Sequence, residues 1–298
     1  GINNYISAGD EAVSRVSFLA TLMSILGGET AEAETGRFTD VKGEFAGVVQ
    51  AAAKRRIISE NAEFRPDAPV TYAEALKMCL ASIGYEYDCI KSGGWPHGVI
   101  NVAERNELTK NIKKTAGDSL SSEEAMILFY NFLNMNVAEI EGVNRLDNDV
   151  KLHFAKESRT VLSVYYDIYT VTGIVTENSR SSLYKSKQEQ SSSVRINYRT
   201  YLCDEDTEDL LGYNVRAYLS KDNDEVIAAF PEKTYVCELD GEDVLGLKNG
   251  YILYESEHRT KSFELNSEYD VIFNNKAYGS SLTENFLSKC DSITLIDN

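Results

Sequence analysis

Helix starts recur at similar intervals through the first half of the chain. Ser14, Thr71 and Ser121 each precede a stretch with apolar residues at i, i+3 or i+4, and i+7, which places the starts about 50–57 residues apart. A second kind of helix, beginning near Glu44 and near Trp95, alternates with the first kind. Because one such unit could not bury its apolar stripe alone, the pattern predicts helical repeats that share one core.

The first kind of helix begins with recognisable capping residues. Thr71 with Glu74, and Ser121 with Glu124, form the S/T-x-x-E pattern of a capping box, whereas Ser14 is followed by Ser17 at the Glu position. Five helices are predicted. Their apolar stripes are Phe18, Leu22 and Ile25; Phe45, Val48, Val49 and Ala52; Leu76, Cys79, Leu80 and Ile83; Trp95, Val99, Val102 and Ala103; and Ala125, Leu128, Phe129 and Phe132.

The composition changes near residue 150. From 160 onward the chain is rich in Tyr, Val, Ile and Thr in short alternating runs, separated by turn residues such as those at 240–241 and 249–250. Short helical turns are expected near 206–211 and 283–289. We therefore predict an α+β protein of two domains: a helical bundle at 1–140, a linker at 141–159, and a β-rich domain at 160–298 that forms an antiparallel barrel or a sandwich.

Charge and motifs argue against several classes of function. The net charge is −17, shared about equally between the two halves, which disfavours nucleic acid and anionic membranes as partners. No stretch approaches the ~20 apolar residues of a transmembrane helix. The chain has three His and no H-E-x-x-H, G-x-S-x-G or P-loop pattern, so we predict no enzyme, no catalytic residue and no cofactor. The five Cys include no C-x-x-C pair and are expected to be buried thiols, and the acidic turns lack EF-hand spacing, so no metal site is predicted.

One segment carries a family resemblance. From Phe38 the chain reads FTDVKGEFAGVVQAAAKRRIISENAEFRPDAPVTYAEALKM. With F-T-D-V at its start and F-R-P-D-A-P-V-T before its last helix, this segment resembles an S-layer homology repeat. A more divergent copy begins at Trp95, and the helix at Ser14 is similar to the end of an incomplete copy. The resemblance covers roughly residues 10–136 and does not extend into the β-rich part.

The resemblance implies a function at the bacterial surface. Proteins of this family attach non-covalently to the secondary cell-wall polysaccharide of Gram-positive bacteria, here of clostridial type, through grooves between three pseudo-threefold repeats. In such a groove an anionic sugar substituent meets an Arg and the amides of a helix N-terminus. We therefore expect an extracellular protein of the cell wall or cell surface. Because the chain begins with Gly1, we expect any export signal to have been removed. The glycan-binding residues implied are Arg15, Asp40, Phe45 and Trp95.

Departures from the family pattern leave alternatives open. Only the first copy keeps the family's Arg after the capping residue; Tyr72 and Ser122 replace it in the others, and Arg56 replaces a glycine. Arg15 is either an anion ligand or an exposed residue of the first helical turn. Asp40 is a ligand or a cap for its loop, and Trp95 lines a groove or anchors the core.

Two further alternatives concern partners. Tyr165, Tyr166 and Tyr169 form either a binding face or cross-strand pairs. The alternative function is a surface protein–protein interaction module whose repeats no longer bind glycan.

Overall fold

The computed structural model describes the chain as two compact units, Gly1–Asp167 and Ile168–Asn298. The described residues are 4–9, 12–28, 38–60, 63–138, 140–146, 149–154, 159–184, 192–204, 207–274, 276–278 and 282–297. Among them, no helix has both the length and the apolar character needed to cross a membrane.

The first unit is built mainly from helices. They are α1 (Arg15–Ile25), α2 (Ala46–Lys54), α3 (Tyr72–Ser82), α4 (Glu86–Lys91), α5 (His97–Arg105), α6 (Ser122–Leu133) and α7 (Val161–Tyr165). The capping boxes predicted for Thr71–Glu74 and Ser121–Glu124 are confirmed, with both reciprocal hydrogen bonds present at each. Ser14 caps α1, since its hydroxyl accepts a hydrogen bond from the Ser17 amide.

Helix α1 lies at the centre of this unit. Eight of its eleven residues are buried, so it has no polar face, and the Phe18 ring stacks on Phe129 of α6 with centroids 4.7 Å apart. The other helices place their apolar residues around it in a continuous core that extends from Ile6 to Val161.

The segments that enter α1, α3 and α6 are joined in a closed ring of backbone hydrogen bonds. The Val13 amide donates to the Leu120 carbonyl (2.8 Å), the Val70 amide to the Val13 carbonyl (2.8 Å), and the Leu120 amide to the Val70 carbonyl (3.3 Å). All three side chains are fully buried. These residues directly precede the three capping residues, so the ring relates the three helices by an approximate threefold axis.

The ends of the helices repeat as well. Helix α1 is followed by Gly27 at φ 96°, and the next amide, that of Gly28, donates to the Met23 carbonyl. Helix α3 is followed in the same way by Gly84 at φ 91°, and the next amide, that of Tyr85, donates to the Leu80 carbonyl. Glycine adopts this left-handed conformation without steric cost, which is why it ends both helices. The predicted recurrence of equivalent helices is therefore present in the structure.

Some predicted elements differ from the structure. Helix α4 was not predicted, because it has six residues and no capping side chain. The fourth predicted helix begins at His97, after Trp95, and Trp95 is 55% exposed, so the interpretation of Trp95 as a core anchor is wrong. The strand-like composition from 160 onward predicts a strand at Val161–Tyr165, but these residues form helix α7, with Thr160 as its cap.

The tyrosine cluster predicted at this point is divided between different elements. Tyr165 lies in α7 against the helical core, and the Tyr166 hydroxyl donates to the Ile25 carbonyl at 2.7 Å. Tyr169 lies in a strand of the second unit, where its hydroxyl contacts the Asp224 carboxylate. The alternative of cross-strand pairs is therefore wrong for Tyr165 and Tyr166, which do not lie in strands.

A hairpin that begins at Ile140 occupies much of the interval 141–159 predicted as a linker. Its strands β1 (Ile140–Leu146) and β2 (Asp149–Phe154) pair antiparallel.

The second unit consists of short antiparallel strands. They are β3 (Ile168–Glu177), β4 (Ser193–Ile196), β5 (Arg199–Leu202), β6 (Asn214–Ser220), β7 (Val226–Pro231), β8 (Tyr235–Asp240), β9 (Val244–Lys248), β10 (Tyr251–Ser256), β11 (Arg259–Glu264), β12 (Ile272–Phe273), β13 (Lys276–Ala277) and β14 (Ser292–Asp297). The helical turns predicted near 206–211 and 283–289 are confirmed as a 3₁₀ turn at Glu208–Leu210 and helix α8 (Glu284–Leu287).

These strands form separate small sheets, so the barrel, one of the two predicted alternatives, is not formed by the described residues. The sheets have the orders β5-β4-β3-β6-β7, β11-β10-β9, β14-β8 and β12-β13. In the five-stranded sheet, one isolated bridge between Leu202 and Glu225 joins the ends of β5 and β7. Closure of a barrel needs a continuous ladder between its edge strands, and the described residues contain no such ladder. Two separate apolar clusters result, one around Val215 and one around Ile252.

The cysteines are all thiols. Cys79, Cys89 and Cys203 are buried, whereas Cys237 and Cys290 are partly exposed, so the expectation that all five are buried is wrong for the last two.

Candidate functional site

The helical unit contains a pocket of about 270 Å³ that includes two of the predicted glycan-binding residues, Arg15 and Trp95. The remaining lining residues are Phe38, Ile57, Ile58, Ser59, Glu63, Phe64, Arg65, Glu74, Lys77 and Met78. The pocket therefore combines apolar and aromatic walls with three basic and two acidic side chains. Residues from five parts of the repeat pattern meet here. They are the start of α1, the segment before α2, the segment after α2, the loop before α3 with the first turns of α3, and the segment before α5.

Arg15 is held by the protein. Its Nη1 lies 2.6 Å from Oε1 of Glu74, its Nε donates to the Phe64 carbonyl at 2.9 Å, and its guanidinium lies 4.9 Å from the centroid of the Phe64 ring. Only 11% of the side chain is exposed. The alternative of an exposed first-turn residue is therefore wrong, and the positive charge of Arg15 is already paired within the protein.

Glu74 connects two arginines with the start of α3. Its Oε1 also lies 3.2 Å from Nη2 of Arg65, and its Oε2 accepts the Thr71 amide. Burial by itself would raise the pKa of Glu74, but the Thr71 amide and the Arg15 guanidinium outweigh this effect and hold the pKa below its ordinary value. Glu74 is therefore ionised at neutral pH and neutralises charge in the pocket.

The N-termini of α1 and α3 do not offer free amides to an anion, contrary to what the family resemblance implies for these two helices. The first two amides of α1 and of α3 donate to carbonyls of the loop that precedes the next helix in the ring, and the third amide binds the capping hydroxyl. The bonded pairs are Arg15 to Ala68, Val16 to Pro66, Tyr72 to Asp118, and Ala73 to Ala116, at 2.8–3.1 Å. A ligand at the start of either helix would have to displace these bonds.

Asp40 supports a wall of the pocket. Its carboxylate accepts hydrogen bonds from the backbone amides of Phe64 (2.9 Å) and Arg65 (2.6 Å). Burial would raise the pKa of Asp40, but these two amides keep it below the ordinary value. Asp40 thus fixes the loop that contains Phe64 and Arg65. This is a capping role, but the capped loop is the one before α3 and not the one before α2.

Trp95 presents the exposed aromatic surface of the pocket. Its ring lies beside Lys77 of α3, whose Nζ is 5.8 Å from the ring centroid and 3.2 Å from the Ser59 hydroxyl. The side chain of Arg65 is 60% exposed at the same pocket. Phe45, by contrast, is outside the lining: it is partly buried and its ring meets the Tyr5 ring edge-on at 5.8 Å.

Sequence reasoning did not identify Arg65, Glu74 as an ion-pair partner, or Lys77. Arg65 is part of the F-R-P-D run, and its position between an aromatic residue and a proline was an available signal. Lys77 and Glu74 are three residues apart on α3 and so share a face. Their meeting with Trp95, however, depends on packing between repeats.

The equivalent position in the next repeat has different chemistry. At the position of Arg15 this repeat has Tyr72, which is buried. Glu124, the capping glutamate that corresponds to Glu74, forms an ion pair with Lys114, with 3.0 Å between the Lys114 Nζ and the Glu124 Oε1. The ion pair at the capping glutamate is thus retained, but a buried aromatic residue takes the sequence position that Arg15 has in the first repeat.

The β-rich unit has a larger, more open hollow of about 690 Å³. It is lined by β8, β10 and the turn after β10, including Tyr235, Tyr254 and His258, and also by Asp243 and by Lys261 of β11. Within the described part of the chain, no group of three His, Cys, Asp or Glu side chains is placed to hold a metal ion.

Comparison with known proteins agrees with the helical repeats. The model of the S-layer homology domain matches residues 37–76, a segment that includes Asp40, Arg65 and Glu74. The resemblance inferred from the F-T-D-V and F-R-P-D runs is confirmed for this segment. The fold and the match together define a cell-wall-associated surface protein, located outside the cell.

Two relatives belong to the same class. The chain is 29% identical over 168 residues to the Middle cell wall protein of Brevibacillus brevis, a match covering 53% of this chain and 15% of that protein. It is 32% identical over 120 residues to the Surface layer protein of Brevibacillus choshinensis, covering 38% of this chain and 10% of that protein. The chain thus spans only a small part of the length of either relative.

Proposed function

We propose that the helical unit attaches the protein to secondary cell-wall polysaccharide through the pocket that contains Arg15 and Trp95, and that the β-rich unit is displayed without a catalytic role. The observation that carries this proposal is the combination in one pocket of an exposed indole with an excess of basic side chains, in a chain whose net charge is −17.

The residue types suit an acidic sugar. The C–H face of a pyranose packs against an aromatic ring, and Trp95 offers such a ring at the edge of the pocket. The basic groups outnumber the acidic ones in the lining by three to two, which favours an anionic ligand. Arg15 and Asp40 act in this proposal as positioning residues, because both are engaged with the loop at Phe64. Phe45 supports the start of α2.

The proposal is tested by co-sedimentation with cell-wall sacculi. The protein should sediment with native sacculi of the host bacterium and stay in solution once the polysaccharide has been removed chemically. Trp95→Ala should weaken binding to the sacculi about two- to tenfold, since loss of a stacked aromatic contact costs on the order of 0.5–1.5 kcal/mol. Tyr130→Ala is the matched control, because Tyr130 is also an exposed aromatic residue (53%) but lies on α6, outside the lining.

A second candidate function rests on the exposed aromatic residues of the β-rich unit. Tyr198, Phe230 and Tyr235 are 92%, 58% and 60% exposed, and exposed aromatic side chains are enriched at protein interfaces. Under this alternative the protein binds a surface protein. Sedimentation that persists after removal of the polysaccharide, and that Trp95→Ala leaves unchanged, would reject the glycan proposal and favour this one.

A further inference from the structure

Strand β8 has a neighbouring strand on one side only. It pairs with β14 in regular register, from Tyr235 opposite Asp297 to Asp240 opposite Ser292, and the described residues contain no strand on its other side. In an antiparallel strand every second residue points its amide and carbonyl to that free side. Native proteins usually protect such an edge with Pro, Lys or a bulge, and β8 has none of these. The free side of β8 is therefore able to pair with another strand.

The open hollow of about 690 Å³ runs along this free side. Its lining includes the consecutive residues 235–239 of β8 and no residue of β14. One face of a strand would contribute alternate residues, so the consecutive residues indicate that the hollow borders the edge of β8. Five strand residues span about 17 Å. The hollow therefore leaves space beside β8 for an extended segment of similar length.

The layer that contains β8 is one strand narrower than the layer it packs on. Strands β8 and β14 pack on the sheet β11-β10-β9 through the apolar cluster around Ile252. The Tyr235 ring stacks on Phe263 of β11 with centroids 6.2 Å apart, and the Cys237 thiol lies 3.5 Å from the Tyr254 hydroxyl of β10. Two strands thus face three, and five of the six residues of β11 are exposed. A strand added to β8 would complete the narrower layer.

The lining of the hollow is acidic. Its charged and titratable side chains are four carboxylates, Glu238, Asp243, Glu255 and Glu257, and two basic groups, His258 and Lys261. Lys261 is paired with Glu257, its Nζ lying 3.5 Å from Oε2. The other three carboxylates take part in none of the ion pairs formed among the described residues. The charge of the lining therefore favours a basic segment.

The alternation along β8 places this charge on one face. Cys237 and Leu239 belong to the apolar cluster between the layers, so Glu238 lies on the opposite, outer face of the strand. A segment paired with β8 would therefore have its basic side chains on the outer face, where they meet Glu238, and apolar side chains toward Phe263.

We propose that β8 binds an extended segment of another protein as the third strand of its layer, and that basic and apolar residues alternate along this segment. Backbone hydrogen bonds supply the affinity, and the alternate side chains supply the specificity. A second copy of this chain is disfavoured at the same edge, because pairing of two β8 strands would bring Glu238 and Asp240 of both copies together. The inference does not depend on the glycan function, which concerns the helical unit alone.

The experiment is a titration of the isotope-labelled full chain with synthetic peptides, followed by amide hydrogen exchange at residues 235–239. The probe is the basic peptide TKVKVKT, and the charge control is TEVEVET. Two further controls are TKVKVKT with N-methyl groups either on its lysines or on its valines, since each set of alternate amides serves one edge of the peptide strand.

Two variants test the position of the charge. Glu238→Lys reverses the charge on the outer face of β8. Glu242→Lys is the matched control, because Glu242 is exposed in the turn after β8 and lies outside the lining. Both side chains are exposed, so the circular dichroism of the variants should match that of the unchanged chain.

Binding of TKVKVKT should slow exchange of the β8 amides that point away from β14 by about tenfold or more at saturation, because these amides gain an acceptor. The unchanged chain should prefer TKVKVKT to TEVEVET by about tenfold or more, since several opposite charges meet across the strands. Glu238→Lys should lose most of this preference, and Glu242→Lys should keep it. One of the two N-methylated peptides should not bind.

Several results would overturn the proposal. Unchanged exchange in β8 at millimolar TKVKVKT means that this edge takes no strand, and equal binding of both N-methylated peptides means that charge alone attracts the peptide. Equal affinity for the basic and acidic peptides, or an undiminished preference in Glu238→Lys, rejects a basic partner at this edge. Protection of β8 that rises with protein concentration in the absence of peptide identifies a second copy as the occupant. The glycan function is tested separately, by sedimentation with sacculi.

Discussion

Arg56 and Glu107 occupy the same position in two repeats, directly after the end of a helix. Both have left-handed backbone conformations, with φ of 59° and 58°. The next residue closes an equivalent turn at each, as the Ile57 amide donates to Ala52 and the Leu108 amide to Ala103, both at 2.9 Å. The S-layer homology pattern has a glycine at Arg56, and this backbone conformation gives the physical reason, since a side chain there is strained.

We expect Arg56→Gly to stabilise the helical unit. Removal of the side chain relieves the backbone strain of the folded state, whereas glycine gives the unfolded chain more conformational freedom, which partly offsets this gain. The free energy of unfolding should therefore rise by about 0.5–1 kcal/mol. Urea unfolding followed by helical circular dichroism measures the change. Arg55→Gly removes the same charge one residue earlier, at φ −81°, and should give no gain. A gain of equal size in both variants would mean that charge, and not backbone strain, is responsible.

At the scale of the element, the capping residues determine where α1, α3 and α6 begin. Ser121→Ala should lower the free energy of unfolding by about 1 kcal/mol, because the Glu124 amide would lose its acceptor at the helix start. Ser122→Ala is the adjacent control: Ser122 is the first residue of α6, where Ala is a better helix former, so its effect should be neutral or slightly stabilising. Urea midpoints at constant pH compare the two. Equal losses would contradict a specific capping role for Ser121.

The same capping signals explain which elements could be predicted from the sequence. Thr71 and Ser121 mark helix starts because hydroxyl and carboxyl lie three residues apart, a local relation that sequence displays directly. Helix α4 lacks such a residue, and α7 was misinterpreted because VLSVYYDIYTVT has the β-branched and aromatic composition of a strand. Thr160, bonded to the Ser163 amide, was the available signal for a helix there.

The candidate site was only partly predictable, for a different reason. Arg15 and Trp95 were identified from their places in the family pattern and do line one pocket. The neutralisation of Arg15 by Glu74 could not be deduced, because it depends on how two repeats pack across 59 residues of sequence. The position of Lys77 beside Trp95 depends on the same packing. Local patterns identify candidate ligands, whereas charge balance in a pocket is a property of the tertiary structure.

At the scale of the whole molecule, the helical unit depends on ionised carboxylates. Hydrogen bonds from the Thr115 amide and hydroxyl lower the pKa of Asp118, and the pKa values of Asp40, Glu74 and Glu124 are also lowered because amide hydrogen bonds outweigh the opposing effect of burial. Each carboxylate holds a loop or a helix start. Their protonation should therefore loosen the contacts between repeats.

We expect the helical unit to lose stability in acid. A carboxylate with a lowered folded-state pKa stabilises the fold above its unfolded value, near 4.5 for Glu, and this contribution disappears as the pH falls through the folded-state pKa. Urea midpoints of the helical signal should stay level from pH 7 to about 5 and fall below about pH 4.5. Glu74→Gln should show a shallower fall than the exposed control Glu123→Gln. Parallel curves for the two variants would count against Glu74.

The ring formed by Val13, Val70 and Leu120 has a consequence for how such a chain can change its length during evolution. In an open solenoid a unit can be gained or lost at an end, because each unit contacts only its neighbours. Here every segment donates to one neighbour and accepts from the other, so the ring has no end at which a unit could be added. A fourth unit could enter only if one of these three hydrogen bonds were broken, so we expect growth in the loops or by duplication of a whole ring.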